Sequence, residues 1–249
     1  MRRFYLDKEI INSGTPTITG QDAKHIRNVL RLKPGDHIHL FDGEGNGYES
    51  RIISVEPNRI ALSILTCFPS ITESPVRITI AQALLKNRAM DRIVRQITEL
   101  GITGFIPHIS ARSVPRPDNE RLKKRCQRWE RIAKEALKQC NRCVPPKINQ
   151  VVLFRNLICE ETPHDLKIIF WEGHAENRLK FSDIRVPIVK DVLAVIGPEG
   201  GFTREEIELA KEHHFIPLSL GPRILKADTA AVASATLIQY LYGDMGGSE

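Results

Sequence analysis

Several features that would place this 249-residue sequence in a common class are missing. It has no run of about 18 apolar residues, so we expect no membrane-spanning helix. The N-terminal segment MRRFYLDKEI contains two arginines but no apolar stretch behind them, which argues against a secretory signal. The five cysteines are odd in number and scattered, a usage more typical of a reducing cytoplasm than of a disulfide framework. We therefore expect a cytoplasmic protein that does not contact a membrane.

The short motifs of several large enzyme classes are also absent. No GxGxxG follows a first strand, so neither a dinucleotide fold nor a Rossmann-type methyltransferase is indicated. GxxxxGK[ST], HExxH and GxSxG do not occur either. Cys140 and Cys143 form one CxxC pair, but a structural zinc site needs four ligands and no second pair is available. We predict no metal site.

The sequence has an excess of positive charge, with a formal net charge of +6. Much of it lies on a predicted long helix over residues 118–141, where apolar residues recur at helical spacing. Such a basic face either is simply solvated or contacts phosphates of RNA, which sets affinity but not base choice. The basic residues of this region are Arg121, Lys123, Lys124, Arg125, Arg128, Arg131, Lys134, Lys138 and Arg142.

Two regions with different patterns predict two domains. Residues 1–70 contain short strand candidates separated by Gly, Pro, Asn and Asp turns, a pattern typical of a small β-barrel. A proline-bounded linker over 69–75 follows, and residues 71–249 then alternate strands with helices, which predicts a mostly parallel sheet. The predicted strands are 4–6, 37–41, 48–55 and 59–67, then 76–84, 105–109, 168–171, 192–196 and 215–220.

Two of these predicted strands end in glycine turns that favour ligand binding. The strand over 192–196 ends at Gly197 of IGPEGGF, and the strand over 215–220 ends at Gly221 of LSLGPRIL. Glycines past the ends of parallel strands let a ligand approach the main chain at the edge where α/β proteins bind small molecules. The alternative is that these glycines only make tight turns, but a second turn of the same kind, one helix later, favours a binding site.

These motifs carry a resemblance that runs nearly end to end. The segments MRRFYLD, HIRNVLR with KPGD, KNRAMDRIVRQITELG, IGPEGGF and LSLGPRIL resemble the RsmE-type family of ribosomal RNA uridine-N3 methyltransferases, members of the SPOUT superfamily. The resemblance implies an N-terminal PUA-like β-barrel over 1–70 that binds RNA. It also implies a SPOUT α/β methyltransferase domain over 71–249 with a mostly parallel sheet and a C-terminal deep trefoil knot.

The activity implied by the resemblance is S-adenosylmethionine-dependent methylation of uridine N3 in 16S rRNA, within the small ribosomal subunit, by a homodimer. The implied cofactor-binding residues are Trp171, Glu172, Gly197, Pro198, Glu199, Gly200, Gly201, Leu218, Leu220, Gly221, Arg223, Ile224 and Leu225. The candidate catalytic residues are Arg112, Arg142 and Glu199. The implied RNA-binding residues are Arg2, Arg3, Arg27, Arg31, Arg112 and Arg142.

The sequence departs from the family pattern at Lys226-Ala227-Asp228-Thr229, where the family more often has Arg and a Glu-containing segment. Lysine keeps the charge of arginine but not its planar set of donors. Three alternative functions remain open at this point. One is a ribose 2′-O-methyltransferase of the same superfamily, and another is a non-catalytic RNA-binding or ribosome-assembly factor. The third is a metabolic enzyme with a basic surface, which would have no salt-sensitive affinity for RNA.

Overall fold

The structure is a computed structural model that describes residues 2–86, 88–114, 118–173, 183–184 and 188–246. The chain forms two compact units. The first unit comprises Met1–Glu73 and Lys134–Pro145, and the second comprises Ser74–Ala133 and Pro146–Glu249. Residues 134–145 therefore belong to the first unit although they follow part of the second unit in the sequence.

The first unit contains a five-stranded sheet in the order β1-β3-β4-β5-β2, in which only the β1–β3 pair is parallel. β1 and β2 lie at opposite edges, so the five strands form an open sheet, a half-barrel that does not close into a full barrel. Its elements are β1 (Arg3–Tyr5), α1 (Lys8–Ile11), β2 (Thr17–Thr19), α2 (Gly20–Lys24), a π-helical turn (His25–Val29), β3 (His37–Phe41), β4 (Asn46–Val55) and β5 (Arg59–Pro69).

The core of the first unit follows from the alternation of its strands. Ile38 and Leu40 of β3 and Ile60 and Leu62 of β5 are buried at alternate positions, as expected for strands with one face covered. Ile26 from the π-helical turn packs into the same cluster. Burial of these side chains, at about 25 cal/mol per Å² of apolar surface, is what holds the turn on the sheet.

The second unit contains a parallel sheet in the order β12-β10-β11-β6-β7-β8, with β9 paired to β7. The predicted mostly parallel sheet is thus confirmed. Its elements are β6 (Arg77–Ala83), α3 (Ala89–Glu99), β7 (Gly104–Ile109), α4 (Asn119–Cys140), β8 (Lys147–Ile148), β9 (Val152–Leu153), α5 (Phe154–Cys159), β10 (Leu166–Phe170), β11 (Asp191–Ile196), α6 (Arg204–Glu212), β12 (Ile216–Leu218) and α7 (Ala227–Tyr242). The end of α4, from Lys134, belongs to the first unit.

Helices cover both faces of this sheet, so most residues of its central strands β11 and β6 are buried and apolar. One face of β11, with Val192 and Ala194, packs in a cluster that also contains apolar residues of α3 and α7. The other face, with Leu193 and Val195, packs with residues of α5 and α6. The connection from β10 to β11 includes residues 174–182 and 185–187, which lie outside the described residues, and the trefoil knot therefore stays a prediction. No helix in the described part of the chain is long and apolar enough to span a membrane.

Candidate functional site

The candidate site lies at one edge of the second unit's sheet. Strands β12, β10, β11 and β6 are neighbours and parallel, so their carboxyl ends share that edge. The segments that leave these strands surround a cavity of about 660 Å³. This volume falls within the range of small-molecule pockets, and the carboxyl edge is where open α/β sheets bind ligands.

Most of the predicted cofactor-binding residues line this cavity. They come from three strand ends that are distant in sequence but adjacent in the sheet. The lining residues among those predicted are Trp171, Glu172, Gly197, Pro198, Glu199, Gly201, Leu220, Gly221, Arg223, Ile224 and Leu225. The structure thus brings these residues together, while their contact with a cofactor stays a prediction.

Two predicted cofactor-binding residues do not line the cavity. Leu218 is the last residue of β12 and its side chain is buried in the core of the sheet. Gly200 faces Arg112 instead: a Cβ atom added at Gly200 would lie 3.3 Å from Cβ of Arg112. A larger residue at position 200 would therefore press on Arg112 and would not project into the cavity, while main-chain contact between Gly200 and a cofactor stays a prediction.

The turn 197–201, between β11 and α6, is held by polar contacts on several sides. Arg112 Nη1 donates to the Gly200 carbonyl at 2.8 Å, and the main-chain N–H of Lys86 donates to Glu199 Oε1 at 3.2 Å. Just beyond the turn, Thr203 and Glu206 form a capping box at the start of α6. Glu206 also accepts a hydrogen bond from the N–H of Ala111 at 2.8 Å. Two candidate catalytic residues, Arg112 and Glu199, therefore have structural contacts in this turn.

The second predicted turn, 219–225, is held by fewer contacts. Ser219 Oγ is hydrogen-bonded to the main chain of Gly221, which has φ +108° and open space where a side chain would project. In the described chain, no protein group accepts a hydrogen bond from the main-chain N–H of Leu220 or Leu225. Both residues line the cavity. The exposed main chain and these free donors fit a ligand that forms hydrogen bonds with the backbone, such as the adenine edge of S-adenosylmethionine.

Charged residues that the sequence analysis did not assign to the site also line the cavity: Lys86, Arg88, Arg92, Lys226 and Asp228. Arg92 on α3 and Asp228 in the first turn of α7 form an ion pair with an N–O distance of 3.1 Å. Burial raises the pKa of Asp228, but hydrogen bonds from Arg92 and the N–H of Thr229 outweigh it and leave the pKa below its ordinary value. The departure from the family pattern at Asp228 therefore still places a carboxylate in the cavity wall. β6 lies beside β11 in the sheet. A correct prediction of this strand order would have placed the segment that follows β6 at the cavity.

Arg142 and Arg3 are buried within the first unit. The Arg142 side chain is 3% exposed, and its Nη2 lies 2.8 Å from Glu73 Oε2. Arg3 donates to Asn141 Oδ1 and to the carbonyl of Arg142, both at 3.2 Å. The burial of both residues does not favour the predicted RNA contacts or the predicted catalytic role of Arg142, which stay predictions. Charge reversal at Arg142 would leave like charges buried together and would destabilise the unit.

Other predicted RNA-binding residues are at the surface. Arg2, Arg27 and Arg31 are exposed in the first unit. On α4, Lys123, Lys124 and Arg131 are exposed in the second unit. The last basic residues of α4 are different, since Lys134 lies over the Tyr5 ring and Lys138 pairs with Asp22 at 2.9 Å. The exposed basic face is therefore shorter than the sequence indicated.

Comparison with known proteins also separates an N-terminal part of the chain from a C-terminal part, although the C-terminal match includes residues 134–145, which belong to the first unit. A family model described as the RNA methyltransferase domain matches residues 72–239, and one described as the RNA methyltransferase PUA domain matches residues 18–65. The ribosomal RNA small subunit methyltransferase E of Bacillus subtilis is 32% identical over 247 residues, which cover 96% of each chain. The chain belongs to this methyltransferase family. The resemblance inferred from the sequence is thereby confirmed, and the half-barrel of the first unit is PUA-like.

Solved structures of similar proteins agree with the family. The ribosomal RNA small subunit methyltransferase E of Neisseria gonorrhoeae, solved bound to S-adenosyl methionine, has a TM-score of 0.86 and 32% identity. The match covers 98% of this chain and 99% of that one. A protein from Legionella pneumophila, solved with the cofactor SAM bound, has a TM-score of 0.90 and 31% identity, over 98% and 99% of the two chains.

Proposed function

We propose that this protein transfers the methyl group of S-adenosylmethionine to N3 of a uridine in the 16S rRNA of the small ribosomal subunit. The observation that carries the proposal is the cavity at the carboxyl edge of β6, β10, β11 and β12, in a chain that belongs to a ribosomal RNA methyltransferase family. The position of the cavity favours binding of a small molecule such as a cofactor, and family membership favours methyl transfer to RNA.

The cofactor would be held by three segments of the cavity wall: Trp171 and Glu172, the turn 197–201, and the loop 219–225. When bound, S-adenosylmethionine supplies an electrophilic methyl group on its sulfonium. The N–H groups of Leu220 and Leu225, for which no described residue provides an acceptor, are donors for the adenine edge. Leu85, Phe170 and Ile196 provide apolar contacts at the bottom of the cavity.

The target base needs a change of protonation before it can react. Neutral uracil carries a proton on N3, so the site must accept that proton or stabilise the anion that remains. Arg223 is exposed at the cavity wall and is positioned to contact a uracil oxygen or a phosphate. Glu199 is the candidate proton acceptor, with one carboxylate oxygen fixed by the N–H of Lys86.

RNA would bind through the exposed basic residues of both units. On the first unit these are Arg2, Arg27 and Arg31, and we assign residues 1–70 to RNA binding and residues 71–249 to methyl transfer. On the second unit, Lys123, Lys124 and Arg131 of α4 supply phosphate contacts. Such contacts predict an RNA affinity that falls steeply as the salt concentration rises.

A second copy of the chain would cover the outer face of α7. Leu237, Tyr240, Leu241 and Met245 are exposed apolar residues at helical spacing on and just after this helix. A row of this kind marks a surface that associates with another protein, and a symmetric pair of such faces would form the homodimer. Light scattering should give the mass of a dimer for the wild type and of a monomer for Leu241→Glu.

A primer-extension assay tests the proposed reaction. A methyl group on uridine N3 blocks Watson–Crick pairing, so reverse transcriptase should stop at the modified uridine after 16S rRNA or small subunits react with enzyme and cofactor. Mass spectrometry of the nucleosides identifies the product. A 2′-O-methylnucleoside would overturn the proposal in favour of ribose methylation. Binding of RNA without any methylated product would instead support an assembly factor.

A further inference from the structure

We propose that Gln82 and His108, two buried side chains behind the turn 197–201, are positioning residues that hold the end of β11 in the conformation that binds the cofactor. The proposal rests on the proposed function, because it concerns the same cavity. Neither side chain lines the cavity, so both would act through the main chain of Ile196 and Gly197.

Gln82 lies on β6, opposite Ile196 in the parallel ladder, and is fully buried. Its Nε2 atom donates to the carbonyl of Gly197 and to the carbonyl of Ala83, both at 3.1 Å. Two carbonyl oxygens require the NH₂ group on that side, which fixes the orientation of the amide. The carbonyl oxygen of the side chain, Oε1, is then left without a partner.

His108 lies on the next strand, β7, and is also fully buried. Its Nε2 atom is 3.2 Å from the carbonyl oxygen of Ile196, so Nε2 must carry the proton. The ring stacks on Phe202 with an interplanar angle of 10°. The other ring nitrogen, Nδ1, has no partner. Gln82 and His108 therefore donate to two consecutive carbonyls at the end of β11.

The unsatisfied atoms distinguish these side chains from ordinary core polar groups. Within the described residues, Gln82 Oε1 and His108 Nδ1 are the buried side-chain nitrogen or oxygen atoms without a partner. Each costs stability, since a buried acceptor loses its bond to water and gains nothing in return. Apolar side chains would avoid that cost but could not donate to the carbonyls. The donors are thus placed where β11 ends and the cavity wall begins, at Gly197.

The test replaces Gln82 in two ways and measures S-adenosylmethionine affinity by calorimetry between pH 6 and pH 9. Gln82→Met keeps the length of the side chain but has no donor, and we expect affinity to fall about tenfold at every pH. Gln82→Glu presents a carboxylate to two carbonyls at high pH, but a protonated carboxyl can donate one hydrogen bond at low pH. Burial raises the pKa of such a carboxyl. We therefore expect its affinity to recover to within about threefold of wild type as the pH falls.

Gln239→Met is the matched control, because Gln239 is also a buried glutamine of the second unit, with Nε2 donating to the Leu100 carbonyl at 2.8 Å. It loses a comparable contact away from the cavity and should keep wild-type affinity. If Gln82→Glu does not fold, His108→Phe keeps the ring on Phe202 and removes the donor to Ile196. Folded Gln82→Met and His108→Phe variants with wild-type affinity would overturn the positioning role alone. Absence of binding by the wild type would instead overturn the proposed function.

Discussion

The two glycine turns of the candidate site differ in how they are held. The turn 197–201 has contacts to Arg112 and to the main chain of Lys86, and Gln82 and His108 lie behind it. The loop 219–225 is supported within itself by Ser219, and Ile224 at its tip is 82% exposed. One wall of the cavity is therefore formed before a ligand arrives, while the other has main-chain donors for which the described residues provide no acceptor.

This difference predicts different consequences for the same substitution. In a wall that is already fixed, strain appears in the folded protein whether or not a ligand is bound. In a loop with few contacts, the free protein can relax around the change, and the cost appears only when the ligand requires the original conformation. Stability and affinity should therefore separate the two turns.

The largest expected effect concerns His108 and the pH dependence of stability. Burial lowers the pKa of His108 to about 4, so the folded protein favours the neutral ring. The preference for the neutral ring contributes up to about 3 kcal/mol to the free energy of unfolding. This contribution is complete above pH 6.5 and is lost as the pH falls toward 4. His108→Phe should remove this decrease in the free energy of unfolding, measured by urea unfolding from pH 7.5 to pH 4.5. The same replacement at His213, at the end of α6, serves as the control, and an unchanged slope in His108→Phe would refute the assignment.

Gly201→Val should lower stability because the turn 197–201 is held. Gly201 has φ +66°, and a Cβ atom there would meet the carboxylate of Glu172. A β-branched residue in this conformation costs about 2 kcal/mol. Differential scanning calorimetry without ligand should show a clear decrease in Tm. An unchanged Tm would mean that this turn is as free to relax as the other one.

Gly221→Val should leave stability unchanged and lower the affinity for the ligand. Gly221 has φ +108° and no neighbour that a Cβ atom would contact, so the free loop can rearrange at little cost. We expect an unchanged Tm but a loss of S-adenosylmethionine affinity of about 30-fold, the equivalent of about 2 kcal/mol of strain in the bound state. Gly35→Val, at φ +98° in the first unit, is the matched control. Equal affinity for Gly221→Val and Gly35→Val would remove the loop 219–225 from the binding site.

Arg112→Ala should have the smallest effect of the four. The hydrogen bond to Gly200 is at the surface, and its loss should cost about 1 kcal/mol. We expect about a fivefold loss of S-adenosylmethionine affinity, with Arg95→Ala on the exposed side of α3 as the control. A large loss of RNA affinity with normal cofactor affinity would instead favour the RNA contact inferred from the sequence.

Much of the fold was predictable because it depends on local patterns. The strand His37–Phe41 was predicted to the residue, and β6, β10 and β11 were predicted within two residues at each end. The short strands β2, β8 and β9 were missed, because so few residues show little of a period, although β1 and β12, of three residues each, were predicted. The helix α4 was predicted, but its sequence does not show that the residues from Lys134 onward belong to the first unit.

The candidate site was likewise predictable only where it depends on local sequence. Gly197 and Gly221 could be singled out from the sequence, because glycine at a strand end has a conformational reason that needs no tertiary contact. Lys86, Arg92 and Asp228 were missed, since their place in the cavity depends on which strands are neighbours. Arg142 was assigned to RNA through the family resemblance, and its position after a basic helix gave no sign that it is buried. Its burial against Glu73 depends on a partner 69 residues away.

By itself the sequence determined the two kinds of domain, the parallel sheet, the glycine turns and the family, because each of these is encoded in neighbouring residues. Only the tertiary structure decided which charged side chains face the cavity and which are paired in the core. It also revealed Gln82 and His108, which no motif marks, behind the end of β11. The reason is physical: hydrophobic period and turn chemistry act over a few residues, whereas a buried hydrogen bond exists only once distant strands are side by side.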